Sequence, residues 1–145
     1  MYLEDYKIGD KYKVKAEKVD LNDMIEFAKK YDKRDFHISK EAAENSRFKK
    51  IIASGFYTLC FAWGNWVKTG KDSDGMIAGI GVDNLLWKKP VYVGDSLSSV
   101  LTVTDVDPSD TKDVGTVYVH YETKNQNDEV VMVADLKYLV KKKEQ

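Results

Sequence analysis

The sequence predicts an α+β fold in which a bent, mostly antiparallel sheet wraps one long apolar helix. Three observations predict it. Amphipathic helical spacing is confined to the early part of the chain, the stretch from Ala53 to about Val67 is apolar on nearly all sides, and everything beyond Gly75 reads as strands divided by polar turns. With 145 residues, 43% of them hydrophobic and only 2 proline, the chain is long enough to bury one core and is expected to form one domain over 1–145.

Each element has its own signal. Tyr12 to Val19 alternates apolar and charged residues, which is the pattern of an edge or amphipathic strand. Asp20 reads as an N-cap, and Leu21, Met24, Ile25, Ala28 and Tyr31 follow at helical spacing, so a helix should end near Asp32. Ser39 should cap a short helix through Lys40 to Glu44, with a loop holding Asp35, Phe36 and His37 between the two. The Phe56–Val67 run should be a helix wrapped by other structure, with Cys60 a buried thiol and Gly64 allowing close approach to a sheet. Strands are predicted over Met76 to Trp87, Ser96 to Val106, Gly115 to Thr123 and Val130 to Val140. The turn signals are Gly94-Asp95, Pro108-Ser109-Asp110 and Asn125 to Asp128. A mostly antiparallel meander follows.

Composition removes several function classes. Lys plus Arg at 23 against Asp plus Glu at 24 gives a net charge of −1, which offers no basic excess for nucleic acid. One cysteine and two histidines give neither a disulfide nor a metal-ligand cluster, so no metal is expected. The chain shows no leader-like segment and no apolar run long enough to cross a bilayer, which points to the cytoplasm, and Lys141 to Lys143 read as a solvated tail. His120 is expected at the surface or an interface, and Trp66 and Trp87 in the core or an interface.

Asp32 and His37 carry the chemistry. A carboxylate and an imidazole together can hold and activate a water, and the free N–H groups where the apolar helix starts, at Ser54-Gly55, can stabilise charge on a carbonyl oxygen. Spacing alone leaves open a plain helix-end carboxylate and a half-buried histidine with one hydrogen bond. Ser54 is expected as a helix cap, because no histidine precedes it with triad-like spacing.

Several separated blocks then agree with one family. The segments Phe27 to His37, Glu41-Ala42-Ala43, Ser46-Arg47-Phe48, Ile51 to Gly55 and Gly81 to Asp95 together resemble the MaoC-like dehydratase and (R)-specific enoyl-CoA hydratase family, with the likeness reaching about Val106. The resemblance implies a hotdog fold, a homodimer open to higher assembly, and addition or removal of water at a 2-enoyl thioester. It also implies no cofactor, since CoA or an acyl carrier is part of the substrate. Carried over, it makes Asp32 and His37 the water-activating pair and Gly55 the thioester-oxygen donor. Arg34, Phe36, Ser54, Phe56, Tyr57 and Trp63 are the expected substrate contacts, with Leu59 also in the acyl tunnel. The chain departs from the family pattern at three places: Arg34 where an amide is frequent, Asp35 where proline is frequent, and Trp63 where studied hydratases carry a small hydroxyl residue. A bulky ring there should shorten or redirect the pocket. Two alternatives stay open. A hotdog acyl-CoA thioesterase is disfavoured by the lack of an acidic residue between Ala53 and Thr69, and a non-catalytic acyl-thioester binder is suggested by Arg34 and Trp63.

Overall fold

The computed structural model describes residues 1–108 and 111–144. After a 3-10 turn at Leu3–Asp5 come β1 (Lys11–Lys18), α1 (Leu21–Tyr31), α2 (Asp35–Ile38), α3 (Lys40–Glu44), α4 (Gly55–Lys68), β2 (Met76–Trp87), β3 (Ser96–Asp107), β4 (Val114–Lys124) and β5 (Val130–Lys141). One five-stranded antiparallel sheet runs in the order β1-β3-β4-β5-β2 and curls around α4 in the hotdog arrangement.

Local chemistry accounts for most of the boundaries. The Asp20 carboxylate accepts from Asp23 N–H at 3.0 Å and the Ser39 hydroxyl from Ala42 N–H at 3.2 Å, so both caps form as the sequence predicts. The segment expected to be a loop instead contains one helical turn, α2, whose last turn carries His37. At the β4–β5 connection Asn125 Oδ1 accepts from Asn127 N–H in an Asx turn and also from Glu129 N–H, and Asp128 takes a positive φ of 61°, which Asp tolerates better than most residues. Of the Pro108-Ser109-Asp110 turn signal, Ser109 and Asp110 lie outside the described residues.

The core is built on the inward parity of the strands. Leu97, Leu101 and Val103 of β3, Val117, Val119 and Tyr121 of β4, and Met132, Ala134 and Tyr138 of β5 are buried beneath α4, which contributes Tyr57, Ala62 and Trp66. Tyr121 Oη donates to Ala62 O at 2.6 Å and fixes the helix over the sheet, while Trp66 Nε1 donates to the buried Asp72 carboxylate at 2.8 Å and ties the helix to the turn that follows it.

Three expectations need correction. The order is a meander only through β3, β4 and β5, because β2 crosses to the far edge and pairs with β5. The apolar run of α4 is not wrapped on all sides: Phe56, Cys60 and Val67 form an exposed stripe, so Cys60 is not a buried thiol. A β-carbon on Gly64 would meet nothing within 4 Å, so that glycine is not a point of close approach. The second has a plain cause. Residue hydrophobicity records that a surface avoids water, and not whether the chain itself supplies the cover.

Burial also sets an alkaline limit on the fold. Desolvation pushes the phenols of Tyr6, Tyr57 and Tyr121 from the ordinary 10.0 up to about 12, and that of Tyr138 higher still. A raised folded value means that the stabilisation is complete below the unfolded phenol value and is lost as pH rises through about 12. Phenolate absorbance should therefore lag for these four of the 9 tyrosines until circular dichroism reports unfolding. Full ionisation near the ordinary phenol value in the folded protein would contradict this.

Candidate active site

Four short segments meet at the start of α4. Asp32 ends α1 with φ −151° and ψ 65°, which turns the chain out of the helix and leaves its carboxylate on the inner side. α2 then returns His37 to the interior, where it is buried. Ile52 bridges Tyr92, and Ala53 N–H donates to Val91 O at 2.8 Å, so the buried Ile51-Ile52-Ala53 strand is pinned just before Ser54 and Gly55.

The hydrogen bonds fix the state of the imidazole. His37 Nδ1 stands 2.7 Å from Ile52 O, and a carbonyl only accepts, so the ring proton resides on Nδ1. The lone pair on Nε2 of the neutral ring then faces Asp32 Oδ2 at 3.4 Å, acceptor against acceptor. A proton on Nε2, or a water donating one hydrogen to each, satisfies both groups. Ser54 Oγ donates to the same Oδ2 at 2.8 Å, and Arg34 Nε donates to Oδ1 at 3.0 Å.

Ser54 therefore does not act as the expected cap. It occupies the N-cap position of α4, but its hydroxyl makes no capping bond and is turned to the Asp32 carboxylate. A hydrogen bond to a charged acceptor is roughly twice as strong as a neutral one, and this competition decides the rotamer. The first-turn amides of α4, Gly55 N–H among them, are left without a side-chain acceptor at the positive end of the helix dipole.

A cleft of about 260 Å³ opens beside this cluster, lined by His37, Gly55, Thr58, Trp87, Lys88 and Lys89 among others. Asp32 is not on its wall and is reached through His37 Nε2. The remaining expected contacts scatter. Phe36 packs on the His37 ring with centroids 4.5 Å apart, and Arg34 is exposed and tied to Asp32. Phe56 is exposed against Trp87. Tyr57 turns to the other side of α4, against Phe27 and Phe61. Trp63 lines a separate apolar cavity of about 390 Å³ with Leu59, Met76, Val82, Leu136 and Tyr138. Phe56, Tyr57 and Leu59, expected to line part of one acyl tunnel, thus face three different surfaces of this chain, because they point in different directions around one helix.

Two groups escaped the sequence reading. The Ile52 carbonyl orients His37, and no side-chain signal reveals a backbone acceptor. Trp87 sits over Gly55, whereas its place at the end of a strand suggested only core or interface. Among the described residues no three His, Cys, Asp or Glu side chains converge as a metal site would need, and no helix is long and apolar enough to cross a membrane.

The model of the MaoC like domain matches residues 5–125. The chain belongs to the MaoC-like domain family. A MaoC-like dehydratase from Rhodospirillum rubrum superposes with a TM-score of 0.90 at 31% identity, covering 100% of this chain and 99% of that one. The uncharacterized protein YdeM of Bacillus subtilis is 34% identical over 142 residues, 98% of this chain and 100% of its own length. The R-hydratase PhaJ1 of Pseudomonas aeruginosa, at 20% identity, shares the fold with a TM-score of 0.79 over 99% of this chain and 86% of that one. In this MaoC-like domain the cluster of Asp32, His37, Ser54 and Gly55 lies inside the matched region.

Proposed function

We propose that this MaoC-like protein is a hydratase or dehydratase that adds or removes water across the 2,3 double bond of an acyl thioester carried on CoA or an acyl carrier. One observation carries the reading. The Ile52 carbonyl holds the proton of His37 on Nδ1, so Nε2 is the nitrogen left to exchange a proton, and it faces Asp32 Oδ2 at 3.4 Å beside a cleft that reaches Gly55.

In the hydration direction, a water held between Asp32 and His37 gives a proton to Nε2 as its oxygen bonds to C3. The π pair moves onto the thioester, and the oxygen that gains charge accepts from Gly55 N–H, a contact worth about 3 kcal/mol by analogy with other oxyanion sites. The imidazolium formed faces the Asp32 carboxylate, and the pair returns a proton to C2 as the carbonyl reforms. Ser54 and Arg34 orient that carboxylate by donating to its two oxygens. Arg34 thus serves Asp32 with its Nε.

Two copies are proposed to associate through β2. This strand pairs with β5 on one side only, and Ile77, Ile80, Val82 and Leu86 on it are exposed, as are Phe56, Cys60 and Val67 of α4. Antiparallel pairing of β2 with itself is two-fold symmetric, satisfies the open edge and covers the apolar stripe in one contact.

Incubation with enoyl-CoA thioesters of increasing chain length should bleach the conjugated-thioester absorbance and yield a 3-hydroxyacyl product. Light scattering on the same preparation should give twice 16.6 kDa. Release of free CoA without a 3-hydroxyacyl thioester product would identify a thioesterase, and binding without turnover an acyl-thioester carrier; either overturns the hydratase. A monomer at the working concentration would overturn the β2 contact.

A further inference from the structure

Trp87, the last residue of β2, lies directly over the first residue of α4. Its indole is so near Gly55 that a β-carbon there would stand 2.3 Å from Cε2 and 2.4 Å from Cδ2 of the ring. Phe56 braces the indole edge-on, with centroids 5.0 Å apart at 73°, and the ring lines the cleft together with His37 and Thr58.

A regular strand does not place it there. The β2–β5 register shifts between Asp83 and Leu86, and Asn84 within that bulge has a φ of 51°. Asn84 Nδ2 donates to Asp135 Oδ2 at 2.9 Å, and Asp135 Oδ1 lies 2.7 Å from His120 Nδ1 on the outer face of the sheet. Bulges redirect the side chains that follow them, and a non-glycine residue persists at positive φ only where its surroundings hold it. Beyond the ring, Lys88 N–H donates to Val131 O at 2.8 Å. Trp87 is therefore fixed from both sides.

We infer that Trp87 is a specificity-determining residue: its indole is the wall that limits the bulk allowed next to the thioester carbonyl. The inference rests on the proposed binding of that carbonyl at the Gly55 amide. A carbonyl oxygen accepting from Gly55 N–H brings its carbon, with the two atoms bonded to it, against the ring that covers Gly55. One of those atoms is sulfur in every thioester, so the group that is discriminated is the substituent on C2. A straight chain presents hydrogen there, and a 2-methyl branch presents a methyl group that meets the indole. Asn84 is a positioning residue, because the bulge it stabilises aims Trp87.

Butyryl-CoA and 2-methylpropanoyl-CoA separate these effects, since both are saturated and neither can be hydrated. In calorimetric titrations the wild-type protein should prefer the straight chain. Trp87→Ala should reduce that preference about tenfold, in line with the value of one methyl-sized contact in a pocket, by tightening the branched thioester. Trp87→Phe should give a smaller shift with the aromatic brace kept. Asn84→Val, with a β-branched residue at a φ it disfavours, should move the preference the same way with the indole still present. An unmoved preference in folded Trp87→Ala and Trp87→Phe, while the wild type binds both thioesters and hydrates enoyl-CoA, would overturn the wall alone. Failure of the wild type to bind either thioester would overturn the hydratase reading and the wall with it.

Discussion

Replacing Asp32 by Asn is expected to lower enoyl-thioester hydration by roughly 10²–10⁴-fold, the range typical of a lost acid–base partner. The carboxylate has two duties that an amide cannot combine. Oδ1 and Oδ2 accept from Arg34 and Ser54, and Oδ2 also faces the basic nitrogen of His37 at 3.4 Å. An amide keeps one acceptor and loses the charge that stabilises the imidazolium, so the water is neither held nor activated. Its size is unchanged and Asp32 sits at a helix end, so the melting temperature should move little. His37→Ala should reach the same activity floor with a larger stability cost, because the ring is buried and Ile52 O loses its donor. Ser54→Ala should fall between these variants and wild type. Turnover of crotonyl-CoA alongside thermal unfolding checks the ordering, and near-normal turnover in Asp32→Asn would remove the pair from the mechanism.

Gly55→Ala should damage both the fold and the site. Gly55 is not among the positive-φ glycines, and alanine is the better helix former by about 1 kcal/mol, so the backbone gives no reason for harm. The added methyl would nevertheless stand 2.3 Å from Trp87 Cε2, and either the indole or the start of α4 must move. Overpacking of this kind costs about 1–3 kcal/mol. Displacement of the amide donor should lower turnover by about a further 10²-fold. Trp87→Ala in the same chain removes the collision, so Gly55→Ala should cost much less stability in that background. Chemical denaturation of the two single variants and the double variant measures the coupling, and additive effects would mean that the two residues are not in contact.

Much of this was legible in the residues. The bounds of α1 and α3 are legible to within a residue or two, because their caps are local: an Asp or Ser side chain bonding an N–H three positions on needs nothing from the rest of the chain. The strands β2 to β5 were found from turn residues and from a parity that survives burial. The juxtaposition of Asp32, His37 and Gly55 came from chemistry and from the family resemblance together. The environment of each residue is not legible in the sequence: the Ser54 hydroxyl donates to a carboxylate and does not cap, Cys60 faces outward, and Phe56, Tyr57 and Leu59 face three surfaces.

Helix and strand segments follow from periodicity and from bonds a few positions apart, and the residue types available for proton transfer follow from composition, so both are legible without coordinates. Long-range packing sets which nitrogen of His37 donates to Ile52 O, which acceptor the Ser54 hydroxyl prefers and which ring covers Gly55. Those outcomes are competitions between groups brought together from distant parts of the chain, and their energies are defined only once the sheet has closed around α4.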